Sequence, residues 1–403
     1  MVIRERYLKK IRPFYDKDLI KVIIGMRRCG KSILLRQIQD ELIKSGIREE
    51  QIIDINFEFK KNSFIKNDDD LYVYIKEKIV NKDKYYIFLD EIQKIKEWEK
   101  TVTGIKAEYD VSIFITGSNS NLLSSEIATL LAGRYVSFKV LPFCFEEVCN
   151  YLKIENNEEE IEKAFSEYIL WGGLPQKFIL EDEEQVKTYL SDIYDSVVVK
   201  DIIDRFQIKD IELLNKIVEY LVTNPSQNFS ADNMVNYFSN NDNRNVSKET
   251  VYNYLEYMEK AIIINKVNRY DVRGKRILSG KYKYYLTDMG IGQIRNIGKR
   301  VQLGAYCENI VFNELISRGY SVNIGNINQG KIDFIATRFD EKIYIQVCYI
   351  IADDSVQERE FGAFKQIQDN YPKYVLSLDK FDFSQEGIIH KNLIKWLLEE
   401  DKK

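Results

Sequence analysis

Over the first 150 residues, short apolar runs alternate with segments of helical period. The runs at 21–24, 52–56, 85–89, 112–116 and 135–140 are too continuously apolar to have one wet face, as expected of strands covered on both sides. Between them, 32–43 and 71–80 repeat apolar residues at three- and four-residue spacing, the pattern of a helix with one buried stripe. Strand and helix in alternation predict a parallel sheet flanked by helices. From 161 to 223 the pattern is helical, broken at Gly172, Gly173 and Pro175. Helices are predicted at 211–221, 231–237 and 248–259, then a β-ribbon over 262–286 with turns near 273–274 and 279–280. After Gly304 come a helix (305–318), strands (321–324, 332–336, 343–347), a helix (357–370) and a strand (374–378). The pattern divides the chain into an α/β core (1–150), a helical segment (151–208), helices with a ribbon (209–300) and a second α/β domain (301–403).

Composition narrows the chemistry. The 403 residues are 45% hydrophobic and 30% charged, the balance of a folded chain. With 59 basic and 63 acidic residues the net charge is −4, which excludes a uniformly basic nucleic-acid coat and leaves only local basic surfaces. One histidine, His390, excludes histidine-based triads and multi-histidine metal sites. The cysteines Cys29, Cys144, Cys149, Cys307 and Cys348 form no C-x-x-C pair and are odd in number, which fits a reducing cytoplasm. No apolar run approaches the length of a membrane span, and the first ten residues lack the apolar core of a signal peptide.

The strongest motif is G-M-R-R-C-G-K-S, which matches G-x-x-x-x-G-K-[ST] between a predicted strand and a helix. The candidate nucleotide-binding run is Gly25, Met26, Arg27, Arg28, Cys29, Gly30, Lys31, Ser32 and Ile33. The glycines let the chain curl so that backbone N–H groups face phosphate oxygens, and the helix behind them presents its positive end. Lys31 is long enough to reach the β- and γ-phosphates, and the Ser32 hydroxyl suits Mg2+. Arg27 and Arg28 occupy unrestricted positions of the motif. Cys29 beside a helix N-terminus and Lys31 is expected to have a favoured thiolate, or else to act as a small loop filler.

A second run, Y-Y-I-F-L-D-E, ends a buried strand in Asp90 and Glu91. Asp90 is the candidate metal ligand beside Ser32, and Glu91 the group that orients or deprotonates water. In I-F-I-T-G-S-N, another strand ends at Thr116, Ser118 or Asn119, any of which suits sensing of the γ-phosphate, and Asn119 is carried as the catalytic candidate. Arg134 in L-A-G-R-Y is the candidate arginine finger, acting in cis or, in an oligomer, in trans.

These motifs, with D-E-I-Q, G-R, L-P-F and G-G-L-P in this order, resemble the prokaryotic archaeal-type AAA-like ATPases. The resemblance implies a glutamate-assisted phosphate-loop core over 1–150, a helical lid over 151–208, a winged helix over 209–300 and a C-terminal domain similar to the PD-(D/E)xK nuclease fold over 301–403. It also implies ATP or ADP as ligand, Mg2+ as cofactor and DNA as a partner.

Two further surfaces follow from the residues. On the third helix of the middle segment, Lys248 and Asn253 face away from the apolar stripe. Arg273, Lys275, Arg276, Lys281 and Lys283 interleave with tyrosines along the ribbon, a pairing suited to phosphates and unstacked bases. A winged helix of this kind also serves as a protein-docking module. In the last segment Glu308, Asp333 and Gln346 occupy nuclease-like positions, but Cys348 stands where the motif lysine belongs, which speaks against cleavage. The sequence therefore predicts a cytoplasmic Mg-dependent ATPase coupled to DNA. A nucleotide-gated protein switch and an ATP-regulated nuclease are the alternatives.

Overall fold

The computed structural model describes residues 2–400 except 119–121, 123–129, 132, 225, 227, 243, 245, 273, 275, 296–301 and 328–329; the side chains of 199, 200, 228, 241, 242 and 279–281 are also set aside. The chain forms two compact units, 1–141 with 260–262, and 142–259 with 263–403.

The first unit is built on a five-stranded parallel sheet. Its strands are β1 (Ile20–Ile24), β2 (Ile52–Asn56), β3 (Tyr85–Asp90), β4 (Val111–Gly117) and β5 (Tyr135–Lys139), in the spatial order β2-β3-β4-β1-β5. β1, β3 and β4 are buried along their whole length, which explains their unbroken apolar sequences. Phe88 and Phe114 stack across the β3–β4 pair with ring centroids 4.7 Å apart. Lys21 is the polar exception inside β1. Its ammonium donates to the Ser112 hydroxyl at 2.7 Å and to the carbonyls of Tyr15 and Lys17. Burial lowers its pKa to about 7.

The strand order decides where chemistry collects. β4 lies between β1 and β3, with Ile23 level with Thr116 and Leu89 level with Ile115. The carboxyl ends of three buried strands therefore meet at one edge, carrying the loop after β1, Asp90 and Thr116. The helix α1 (Glu5–Ile11) and the helix α2 (Lys31–Lys44) pack in the same unit, and α2 leaves directly from the loop.

In the second unit, the helix Glu158–Trp171 is capped by Asn157 and carries its acids in the first turn, so the acidic stretch is a solvated helix start. The helix ends at Gly172, whose φ of +69° suits glycine. A Cβ on Gly173 would lie 2.1 Å from the Phe143 carbonyl oxygen. The N–H of Gly173 donates to Asp288 at 2.8 Å, and its carbonyl accepts from the N–H of Phe143 at 2.8 Å. The helix break is thus a tight joint built on close backbone approach.

The second unit also holds the helices Ile211–Thr223, Ala231–Asp242 and Lys248–Lys260 and an eight-stranded sheet. Its strands are β6 (Asn228–Phe229), β7 (Ile264–Asp271), β8 (Arg276–Leu286), β9 (Ser321–Ile327), β10 (Gly330–Arg338), β11 (Glu341–Val347), β12 (Lys373–Ser377) and β13 (Ile389–Asn392), in the order β13-β12-β11-β10-β9-β7-β8-β6. Three sequence expectations change here. The ribbon and the C-terminal strands, expected in separate domains, are one sheet joined by the parallel pair β7–β9. The expected turn near 279–280 falls inside β8, where the register slips between the Asn268 and Arg269 pairings. The helix expected over 357–370 is Asp354–Gly362, started by Asp353 and continued as a short 3-10 turn.

Candidate active site

The loop after β1 is shaped by two glycines for different reasons. A Cβ on Gly25 would stand 2.4 Å from the Val140 carbonyl oxygen and 2.7 Å from Cys29 Sγ, so space forbids one. Gly30 takes a φ of +103°, where a side chain is strained. Arg28 is held at a φ of +64°, an uncommon conformation for a non-glycine residue that clusters at functional sites. Gly30 is also the N-cap of α2, with no side-chain cap and no acid in the first turn. The first turn therefore carries no acid to compete with an anion at the helix start, although the Lys31 N–H is directed at the Cys29 sulfur.

Lys31 is folded into this loop. Its ammonium donates to the carbonyls of Gly25 at 3.0 Å and Met26 at 3.2 Å, and lies 3.5 Å from Glu91. Of the two readings of Cys29, the loop filler is the one that fits: burial raises its thiol pKa, outweighing the charges of Lys31 and Arg4, so the thiolate is disfavoured.

Asp90 and Glu91 end β3 with distinct surroundings. Asp90 is buried and accepts from Asn56 Nδ2 at 2.6 Å, from the Thr116 hydroxyl and from the Ser32 hydroxyl. Burial raises its pKa, with the two hydroxyls pulling against that. Glu91 has a φ of +58° and donates its N–H to Thr116 Oγ1 at 2.9 Å. Burial pushes its carboxyl up, but Lys31, the Gln93 amide, Arg27 and Ser118 together hold it below its ordinary pKa. Glu91 is thus an anion, as a base must be. The set Ser32, Asp90 and Thr116 is all hard oxygen, suited to Mg2+. The buried Gln93 Oε1 has no hydrogen-bond partner, leaving one acceptor unspent at the site.

Of the strand-end candidates, Thr116 bridges Asp90 and Glu91, and Ser118 accepts from Gln93 Nε2 at 3.4 Å. Asn119 lies outside the described residues. Arg134 is exposed, and its carbonyl accepts from the N–H of Ile20 at 2.9 Å, at the start of β1. The loop follows the other end of that strand, roughly 16 Å away at about 3.3 Å per residue. A cis finger does not fit this position. Sequence reasoning assigned no role to Asn56 and Gln93. Asn56 carries a readable signal, a polar residue closing a strand.

The second unit rearranges the remaining candidates. Lys283 is not on the surface: it is buried, 2.6 Å from Glu308 and 4.0 Å from Asp333. Alternate residues of a strand share a face, and Tyr285, two positions on, also donates to Glu308, at 2.6 Å. Lys331 reaches Asp333 at 3.2 Å. Gln346 accepts from the Asp333 N–H at 2.6 Å and donates to Glu360 at 2.8 Å. The three nuclease-like positions do converge, but with cations already among them. No group of three or more His, Cys, Asp or Glu suited to a metal occurs among the described residues. Lys248 is ion-paired with Asp232, while Asn253 and Arg276 are exposed. Arg273 and Lys275 lie outside the described residues, as does the side chain of Lys281. Among the described residues no helix is long and apolar enough to cross a membrane.

The AAA domain family model matches residues 17–149, and a domain of unknown function, DUF8612, matches 162–298. An uncharacterized protein of Haemophilus influenzae is 37% identical over 99% of both chains. The uncharacterized protein MJ1544 of Methanocaldococcus jannaschii is 31% identical, covering 91% of this chain and 83% of its own. Among solved structures, AMPPCP-bound DnaA from Aquifex aeolicus is 15% identical, with a TM-score of 0.32 over 64% of this chain and 89% of its own. The chain belongs to one family with the Haemophilus and Methanocaldococcus proteins, and the parallel-sheet core of its first unit matches the AAA domain.

Proposed function

We propose that this chain binds ATP with Mg2+ at the loop of Gly25–Ser32 and hydrolyses it. The observation that carries the reading is the Thr116 hydroxyl, which ties the buried Asp90 to the backbone of Glu91 beside Lys31. Ser32 and Asp90 would hold Mg2+, which when bound neutralises phosphate charge and orients the triphosphate. Glu91, ionised and fixed in an unusual backbone conformation, takes a proton from water directed at the γ-phosphorus.

The Lys31–Glu91 pair gives the cycle an order. A triphosphate competes with Glu91 for the Lys31 ammonium, so filling the loop releases the carboxylate for catalysis. Arg134 serves only on the nucleotide of a neighbouring copy. The ribbon and the helix Lys248–Lys260 offer less to DNA than their sequence suggested, because Lys283 is internal and Lys248 is shared with Asp232. Glu308 and Asp333 are ion-paired with Lys283 and Lys331, and no cleavage is assigned to them.

The test separates binding from turnover. Glu91→Gln is expected to bind ATP at least as tightly as the parent and to lose at least a hundredfold in kcat. Weakened binding with kcat intact would refute the role given to Glu91.

A further inference from the structure

The loop raises a question about its outer side. When successive N–H groups face an anion, the intervening carbonyls face outward into protein and need donors of their own. Cys29, in the middle of the loop, is fully buried, and its carbonyl accepts from Arg4 Nη1 at 2.9 Å. Arg4 lies 25 residues upstream, just ahead of α1, and is 1% exposed.

The same guanidinium sends Nη2 to the carbonyl of Leu141 at 2.9 Å. The Leu141 N–H donates to the Tyr7 hydroxyl at 3.0 Å, and the Arg4 guanidinium stands 4.7 Å from the centre of the Tyr7 ring. Val140, one residue earlier, is the residue whose carbonyl presses against Gly25. Both ends of the loop thus meet this cluster: Gly25 through Val140, and Cys29 through Arg4. The Arg4 backbone is held in turn from α2, where Gln37 accepts its N–H at 3.0 Å and donates to the Val2 carbonyl at 2.6 Å. A buried, permanently charged fork is costly to desolvate and is retained where bidentate geometry matters.

We propose that Arg4 is a positioning residue of the nucleotide site. From behind the loop it fixes the Cys29 peptide so that the loop N–H groups face the triphosphate, and it adds positive charge on the side opposite the phosphates. The inference rests on the reading of Gly25–Ser32 as a triphosphate cradle. It assigns to the segment before α1 a part in nucleotide affinity that no motif in the sequence signals.

The test is ATP affinity in the full-length protein with Mg2+, read with a fluorescent ATP analogue below the melting temperature of each variant. Arg4→Gln is expected to weaken binding about tenfold or more, and Arg4→Lys severalfold, because one ammonium does not reproduce a fork that reaches two diverging carbonyls. Free guanidinium at non-denaturing concentration is expected to restore part of the affinity of Arg4→Ala. Arg12→Met is the structural control. It removes the ion pairs of Arg12 with Glu5 at 3.0 Å and Glu41 at 2.7 Å, which anchor the same N-terminal segment without touching the loop. Its affinity is expected to equal the parent's. Parent affinity in Arg4→Gln, or in Arg4→Lys should the former not fold, would overturn the proposal. So would Arg12→Met weakening binding as much as Arg4→Gln. Failure of the parent itself to bind ATP would instead bring down the phosphate-loop reading, and this inference with it.

Discussion

Replacing Thr116 by Val keeps the shape of the side chain and removes one hydroxyl. That hydroxyl donates to Asp90 and accepts the Glu91 N–H at 2.9 Å, in a residue with no exposed surface. Valine takes the partner from the half-buried Glu91 N–H and from one Asp90 carboxylate oxygen. Asp90 keeps Asn56 and Ser32, so the expected loss of stability is about 1–3 kcal/mol. The larger effect falls on turnover. With Glu91 no longer tied to β4, kcat is expected to drop about thirty- to hundredfold, which is about 2–3 kcal/mol of barrier. The acidity of Asp90 adds a signature. Burial raises its pKa and the Thr116 hydroxyl opposes that rise, so the variant holds its proton more tightly. Thr116→Val should need more Mg2+ than the parent for the same fraction of its full rate, and the difference should narrow as pH rises. Thr116→Ser keeps the oxygen and is expected within about threefold of the parent rate, roughly 0.65 kcal/mol. Equal rates for the Val and Ser variants would refute the bridging role.

Three further outcomes follow from buried groups. Lys21 has a folded pKa of about 7 against an ordinary 10.5, so the unfolded chain holds more protons between those values and stability rises with pH across that window. Denaturant titrations of Lys21→Met should lack this increment, up to about 1.4 kcal/mol per pH unit. Lys283→Met should destabilise the second unit by about 3–5 kcal/mol by stranding Glu308. Because burial already raises the Glu308 pKa, the penalty should shrink at pH 5 relative to pH 8, while retention on DNA is not preferentially lost. Gly173→Ala, which drives a Cβ into the Phe143 carbonyl, should lower the melting temperature by an amount equivalent to about 1–3 kcal/mol, measured by calorimetry.

The first unit was legible because its signals are local. Parallel strands buried on both faces have few polar residues to confuse the reading, and the loop between β1 and α2 carries its chemistry in consecutive positions. Asp90 and Thr116 were readable as strand ends, but their union depends on β4 lying between β1 and β3, a pairing the sequence does not encode locally. The second unit shows the opposite case. Lys283 looked like one more cation in a basic ribbon. Its burial depends on Glu308 and Asp333, 25 and 50 residues away, meeting it across a sheet joined by the β7–β9 pair. Lys283 and Tyr285, two positions apart, share one face of the strand, but which face was buried was fixed only by the C-terminal strands. The choice between cis and trans for Arg134 was open for a similar reason, since its motif did not tell which end of β5 would face the loop.

The central claim is that the coil between β1 and α2, with Lys31, grips the phosphates of ATP. Calorimetric titration of ATP into the parent and Lys31→Ala, each with and without Mg2+, tests it directly. The account predicts a one-to-one complex for the parent, tightened by Mg2+, and a loss of at least a hundredfold in affinity for Lys31→Ala. Equal heats for both proteins, or binding by the parent that ignores Mg2+, would contradict it.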